Sequence, residues 1–285
     1  MNPIILRFAD GSVFFVGLLL TAGAVWPLIR VRNRIGRPAL NVMAIVGMIL
    51  VVASATPLPL WTYFIWIISA ASGIVLVNRK ASSMRSQVLS CTVVLSATAA
   101  LFIVELPNRR LPELKIPEGT TVYVLGDSIS AGVGTQERCW PSLLEDMTHL
   151  RTVNLAQPGA TVEGAIAQAK GIVRPHGVVI VEIGGNDLLG GTSASVFQGH
   201  LATLVSALCA DQHQVLLLEL PLFPFQNAFG QAQRTVARRH GATLLPKRYF
   251  AQVLGKENGT LDGLHLSQAG HDAMAKVVAD VLQKR

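Results

Sequence analysis

Charge is scarce in this chain. Asp, Glu, Lys and Arg make up 14% of its 285 residues, against about a quarter in ordinary soluble proteins. That is too little for a typical soluble enzyme and too much for a wholly embedded transporter. Acidic residues are nearly missing from the first 110 positions, where only Asp10 and Glu105 occur. Cysteine is limited to three residues, with no Cys-x-x-Cys spacing and no clustered His pair, so no metal-ligand pattern is present. No internal repeat and no low-complexity tract occurs. The apolar runs contain no charge pair of the kind that lines an ion or proton path.

What is abundant is uninterrupted hydrophobicity, concentrated before residue 110. Segments 12–29, 40–55, 60–77 and 88–106 carry no charged residue except Glu105. Each is near the length of about 17 to 20 residues that spans a bilayer as a helix. Singly, any of them also reads as a buried core helix. The first additionally reads as a secretory signal with Ala22-Gly23-Ala24 at its cleavage site. Three further runs follow without a polar domain between them, however, and the strongest basic cluster comes after the first run. We therefore expect a membrane region over 1–107 with four transmembrane helices.

Arg30, Arg32, Arg34 and Arg37 lie between the first two runs, and Arg79, Lys80 and Arg85 between the last two. The positive-inside tendency makes both loops cytoplasmic and sends everything after Leu106 to the far side. For a bacterium this predicts a multi-pass inner-membrane protein with a periplasmic or extracellular domain. The charge balance agrees with that assignment. Residues 1–110 hold ten Lys/Arg against two Asp/Glu, a net of +8, and the remainder fourteen against fifteen, a net of −1. The basic pI of 9.7 thus belongs to topology, and no nucleic-acid partner is expected.

Segment 108–120 is polar and punctuated by Pro112 and Pro117, as a linker is. Beyond it, β-rich runs at 121–125, 151–155, 177–183, 214–220 and 242–245 alternate with amphipathic patterns. One helical face is Phe197, Leu201, Leu204, Val205 and Leu208; the last helix is capped by Ser267 and has Met274, Val277, Val278, Val281 and Leu282 on one face. Five such alternations predict an α/β domain over 121–285, a parallel sheet with helices on both faces.

In such sheets ligands bind at the carboxyl ends of the strands, so the residues after each strand carry the functional reading. Gly126-Asp127-Ser128 follows the first strand and offers Ser128 as a nucleophile; its plain alternative is a helix cap. Gly184-Gly185-Asn186-Asp187 follows the third and offers the Asn186 amide to an oxyanion; it also makes an ordinary turn. Gly159, after the second strand, supplies a backbone N–H or merely a loop. Asp262 and His265, three apart before the last helix, form the base and its carboxylate, or a loop and a cap. Leu188, Pro221 and Phe223 line an acyl pocket or simply cover the core. Glu219 and Asp187 are candidate supports, Trp140 packs a helix start, and His271 reads as a surface residue. Cys139 and Cys209 lie where an oxidising compartment permits a bridge, which sequence alone leaves open.

In this order and spacing, the four blocks resemble the SGNH (GDSL) hydrolases, with Ser128, Gly159, Asn186 and His265 as the signature residues and Asp262 completing the triad. The stretch from 121 onward looks most like the bacterial periplasmic thioesterase, arylesterase and lysophospholipase group. The resemblance implies a flavodoxin-like three-layer αβα fold with a five-stranded parallel sheet. It also implies hydrolysis of carboxylic esters or thioesters without cofactor, through an acyl-Ser128 intermediate. Ser128, Gly159 and Asn186 would form the oxyanion hole. The Gly-x-Ser-x-Gly elbow of α/β-hydrolases is absent, since position 130 is Ser. The expected partners are an acyl ester or lipid and the bilayer itself; protein partners are not indicated. An envelope-glycan O-acetyl esterase, an acyltransferase and a non-catalytic binding module are the alternatives.

Overall fold

Helices occupy the apolar N-terminal runs. A computed structural model describes residues 3–29, 36–79, 82–133 and 137–284. Arg30, Arg32, Arg34 and Lys80, on which much of the orientation reading rests, lie outside the described residues. Two compact units emerge. One is Arg7–Arg110 with Phe223–Asn227; the other is Leu111–Leu222 and Ala228–Arg285 with Met1–Leu6.

The short α1 (Pro3–Ala9) is divided between the two units after Leu6; the first unit then holds α2 (Ser12–Leu28), α3 (Gly36–Ala53), α4 (Leu60–Asn78) and α5 (Met84–Glu105). Three helical stretches, Gly36–Ala53, Leu60–Asn78 and Met84–Arg109, are long and apolar enough to cross a membrane, with mean hydropathies of 1.8, 1.9 and 2.0. α2 is equally apolar but spans 17 residues. Small residues set the α2–α3 contact: a Cβ added at Gly47 would lie 2.7 Å from the Gly17 carbonyl oxygen, so the two backbones touch there, a packing typical of helices in lipid. The Trp66 indole N–H donates to Thr98 Oγ1 at 2.9 Å, joining α4 to α5. Leu19, Ile49, Trp61, Phe64 and Ile103 meanwhile point outward and are exposed. Helices apolar both inside and outside the bundle are the pattern of a membrane region.

The second unit contains β1 (Leu114–Ile116), β2 (Val122–Gly126), α6 (Ser128–Ala131), α7 (Trp140–Thr148), β3 (Thr152–Asn154), α8 (Val162–Gln168) and β4 (Val178–Glu182). It continues through α9 (Gly185–Leu189), α10 (Ala194–Ala210), β5 (Gln214–Leu218), α11 (Asn227–His240), β6 (Thr243–Leu245), α12 (Lys247–Leu254), α13 (Gln268–Val281) and β7 (Leu282–Lys284). β2 to β6 form one sheet in the order β3-β2-β4-β5-β6, every pair parallel. This is the parallel sheet expected from the alternating pattern, in the flavodoxin-like arrangement that the family resemblance implies. Every residue of β2 and β4 is buried, as strands covered on both faces must be. On α10 the buried residues are the five of the expected face, Phe197, Leu201, Leu204, Val205 and Leu208.

The segment expected to be a plain linker contains a strand. Leu114 and Ile116 are buried and Lys115 is exposed, an alternation that lets β1 pair in parallel with β7 in a separate two-stranded sheet. Proline punctuation at 112 and 117 conceals a strand of three residues, too short to register as a pattern. Cys139 and Cys209 are free thiols.

The order of strands fixes where a ligand can sit. The chain leaves β2 in one direction to β3, crosses back to β4, and continues the other way. The crevice at this reversal lies beyond the carboxyl ends of β2 and β4. Gly126 and Glu182 are paired there as the last residues of the two strands.

Candidate active site

The turn after β2 is built by close approach. A Cβ at Gly126 would lie 2.8 Å from Ser130 Oγ and 2.9 Å from the Glu182 carbonyl oxygen, so only glycine fits. Gln168 of α8 grips the same residue from below: its Nε2 donates to the Gly126 carbonyl at 2.9 Å and its Oε1 accepts from the Gly126 N–H at 3.0 Å. Asp127 then caps α6, its Oδ1 accepting from the Ile129 N–H at 2.9 Å. Ser128 is consequently the first residue of that short helix, half-buried, at the crevice. Among the described residues its hydroxyl and its N–H have no hydrogen-bond partner.

Asn186 emerges from the turn after β4, where Gly184 takes a φ of +117° that side chains with a Cβ rarely adopt. The Asn186 amide Nδ2 donates to the Ala160 carbonyl at 2.9 Å and to Asp127 Oδ2 at 3.2 Å. Its neighbour Asp187 is buried and accepts from the Val162 N–H at 2.9 Å; burial raises its carboxyl pKa. Together these bonds tie the turn after β4 to residues 160–162, which follow β3. Gly159 stands at the exposed edge of that segment, with a φ of +76° and no atom near its missing Cβ. Asp187 thus supports the crevice. Glu219 does not reach it: its carboxylate holds Arg234 Nε at 2.6 Å and the Lys247 N–H at 2.9 Å, tying β5 to α11 and α12.

Asp262 and His265 share one tight loop. The Leu261 N–H donates to the His265 carbonyl at 2.8 Å, closing residues 261–265, and Gly263 supplies the positive φ of +91°. Asp262 Oδ1 accepts from the Leu264 and His265 N–H groups at 2.9 and 2.8 Å, leaving Oδ2 for His265 Nδ1 at 2.7 Å. The imidazole hydrogen bond, then the two backbone N–H groups, hold the Asp262 carboxyl far below its ordinary pKa. A carboxylate only accepts, so Nδ1 carries the ring proton and Nε2 keeps its lone pair. Asp127, beside Ser128, is buried, and burial raises its carboxyl pKa against the opposing hydrogen bond from the Ile129 N–H. No Ser128–His265 hydrogen bond is formed among the described residues. Such bonds are often long in unliganded sites and close only on the substrate.

The candidate pocket residues divide. Leu188 is half-buried on α9 two residues after Asn186, and Pro221 is half-buried after β5. Phe223 is 52% exposed and belongs to the unit of residues 7–110.

His271, read from sequence as a surface residue, is buried, and its Nδ1 accepts from the Trp140 N–H at 3.3 Å; burial lowers its pKa. Glu182 was missed altogether. It is 1% exposed at the end of β4 and accepts from Ser130 Oγ at 2.8 Å, while the Trp140 indole donates to Ser130 Oγ at 3.2 Å. A lone acid ending an otherwise apolar strand was its only signal.

Burial foremost, and then the Asp127 charge, push the Glu182 carboxyl well above the usual carboxylate range. The native state therefore keeps a proton that the unfolded chain releases above about pH 4. With more protons bound in the native state, stability falls as pH rises from there until Glu182 ionises in place. The unfolding midpoint of the full-length protein is expected to drop over this range, and Glu182→Gln, which cannot ionise, to give a flatter profile. Parallel profiles would refute the buried proton.

Residues 124–273 match the model of the GDSL-like lipase/acylhydrolase family. The chain is 29% identical over 178 residues to the esterase TesA of Pseudomonas aeruginosa, covering 57% of this chain and 88% of that protein. It is 28% identical over 173 residues to a thioesterase/protease/lysophospholipase of Escherichia coli, covering 57% and 83%. Among solved structures, that of TesA superposes with a TM-score of 0.51 at 28% identity, covering 57% of this chain and 97% of that one. A lipolytic protein of the G-D-S-L family from Desulfitobacterium hafniense gives 0.50 at 25% identity, covering 57% and 99%.

Proposed function

The chain belongs to the GDSL-like lipase/acylhydrolase family, the SGNH hydrolases, and is a serine ester hydrolase; from that premise we propose that it is a membrane-anchored enzyme cleaving acyl esters or thioesters through Ser128. The observation that carries this reading is the His265–Asp262 pair, 2.7 Å apart, with an ionised carboxylate on Nδ1 and the Nε2 lone pair free for a proton. A serine hydroxyl is a weak nucleophile near neutrality and needs such a base.

Ser128 Oγ attacks the acyl carbonyl as its proton passes to His265 Nε2. The oxyanion is received by the N–H groups of Ser128 and Gly159 and the amide of Asn186. The imidazolium returns the proton to the departing alkoxide or thiolate, leaving acyl-Ser128. Water then repeats the sequence, with His265 as base, releasing the acid and free Ser128. Leu188 and Pro221 offer apolar surface to the acyl chain. The relatives' printed activities, esterase and thioesterase/lysophospholipase, support acyl lipids and lysophospholipids as the substrate class, and tethering to a bilayer favours them by proximity. The test is a fluorophosphonate probe applied to full-length protein, followed by mass analysis. A single adduct on Ser128 is expected; folded protein that stays unlabelled, or is labelled elsewhere, refutes the assignment.

Residues 1–107 serve in this reading as a multi-pass anchor in a bacterial inner membrane, with 108–120 leading to the hydrolase domain of 121–285. Support comes from the three spanning-length helices and from the arginines between the apolar runs, which favour the cytoplasmic side. A carboxyl-terminal alkaline phosphatase fusion should then be active and a green fluorescent protein fusion dark. The reverse result would put the domain in the cytoplasm.

A further inference from the structure

We propose that the apolar groove between α2 and α5 is a binding site for a phospholipid of net negative charge from the surrounding bilayer, with one acyl chain in the groove and the phosphate near Arg109. The inference rests on the reading of residues 1–107 as a membrane region.

The groove is formed by the helical unit alone. It holds about 240 Å³, and its shape follows from where small side chains fall. Leu18 and Thr98 are buried and form its floor. Ala22 and Ala99 open its walls, and Leu95 and Phe102 mark its two ends on α5, about 10 Å apart along the helix. Its one polar side chain, Thr98, is engaged by the Trp66 indole, which donates to Oγ1 at 2.9 Å. Water in such a space needs several polar partners, and this lining does not offer them. An unfilled groove also forfeits dispersion contacts along its whole lining. In a bilayer the hydrocarbon at hand to fill it is an acyl chain. A chain that leaves lipid for protein gains no hydrophobic energy, so close packing and the headgroup decide whether it stays.

Charge at the mouth supplies the headgroup end. Phe102 meets Phe15 edge to face, with ring centroids 5.0 Å apart, and Arg109 lies over the same Phe15 ring with Cζ 5.4 Å from its centroid. Its place is fixed by Nη1 donating to the Asp10 carbonyl at 2.6 Å and Nη2 to Ser12 Oγ at 3.0 Å. The other ionisable groups at this end of the bundle are sorted by depth. Asp10 is buried, its carboxylate accepting from the Ser12 N–H and hydroxyl at 2.6 and 2.8 Å. Glu105 is buried too and accepts from the Asn108 amide at 3.2 Å. Arg7 and Arg110 are exposed, and Arg109 is half-buried. Acids turned inward and arginines outward leave a positive rim, which suits a lipid phosphate at the level of the headgroups.

The test uses full-length protein extracted from membranes in mild detergent, with bound lipid read by native mass spectrometry. A single phospholipid retained per chain is expected. Ala99→Trp, which fills the groove from its exposed wall, should abolish retention. Ala100→Trp, the same change at the next exposed position and outside the groove, should leave it intact. Retention equal in both variants assigns the lipid to the annular layer only and overturns the site. In titrations of delipidated protein, phosphatidylglycerol should bind about fivefold more tightly than phosphatidylcholine, the effect of one cation near the headgroups. Arg109→Gln should erase that preference, and Arg109→Lys, which keeps the charge, should restore it. A preference unchanged in the Gln variant, or lost equally in both, overturns the headgroup assignment. An alkaline carbonate wash of the membranes separates this inference from the reading beneath it. Protein that stays in the washed membranes but retains no lipid refutes the site alone; protein released by the wash refutes the membrane region and the site together.

Discussion

In the Ser128→Ala protein, kcat for a short p-nitrophenyl ester is expected to fall by about 10⁴-fold or more, with labelling by a fluorophosphonate abolished. Its magnitude follows from the chemistry proposed for the site. An acyl-enzyme path has no substitute for its nucleophile, and what remains is the help that binding and oxyanion donors give to direct attack by water. The same change should be nearly silent in stability. Ser128 is half-buried, and its hydroxyl has no hydrogen-bond partner among the described residues. Alanine is a good residue in a helix, and Asp127 keeps its capping bond to the Ile129 N–H. The measurement is therefore kcat beside an unfolding midpoint on one preparation. A large loss with an unchanged midpoint assigns the nucleophile; persistent full activity removes Ser128 from the mechanism.

The strands, the helical faces and the blocks after each strand were readable because they are local. A buried parallel strand shows as a short apolar run, and the residues following it fall at the carboxyl end of the sheet whatever the details of packing. What supports those blocks was not readable, because its partners lie far apart in the chain. Gln168 holds Gly126 across 42 positions, Ser130 meets Glu182 across 52, and His271 meets Trp140 across 131. Each of these side chains looks ordinary in sequence. Glu182 reads as the polar end of a strand, and His271 as an exposed residue beside Asp272 on an amphipathic helix. Their roles appear only once the crossover has brought β2 and β4 side by side. The strand at Leu114–Ile116 was hidden for another reason: its partner, β7, is equally short, and neither carries a pattern without the other.

Asp262→Asn should lower kcat by about a thousandfold and change KM little. Asparagine has the shape of the residue it replaces, so its Oδ1 continues to accept the Leu264 and His265 N–H groups that shape the loop. The atom that changes is the one facing Nδ1 of the imidazole, now at 2.7 Å from Oδ2. An amide nitrogen there donates where the carboxylate accepted, so the neutral ring must carry its proton on Nε2, the wrong tautomer for a base facing Ser128. Neutralising the buried acid of a serine protease triad in this way costs about 10⁴-fold. The smaller figure follows from exposure, since the Asp262 side chain is 55% open to solvent and water can supply part of what the carboxylate gave. The imidazole hydrogen bond and the loop N–H groups keep Asp262 ionised far below neutral pH. With its pKa lowered, this carboxylate loses its charge only in strong acid, so a fall in rate at mildly acid pH is not its titration. Wild-type kcat in the Asp262→Asn enzyme would show that the ring is oriented by something else, whereas loss of the folded loop, visible as a lowered unfolding midpoint, would assign Asp262 to structure rather than to the base.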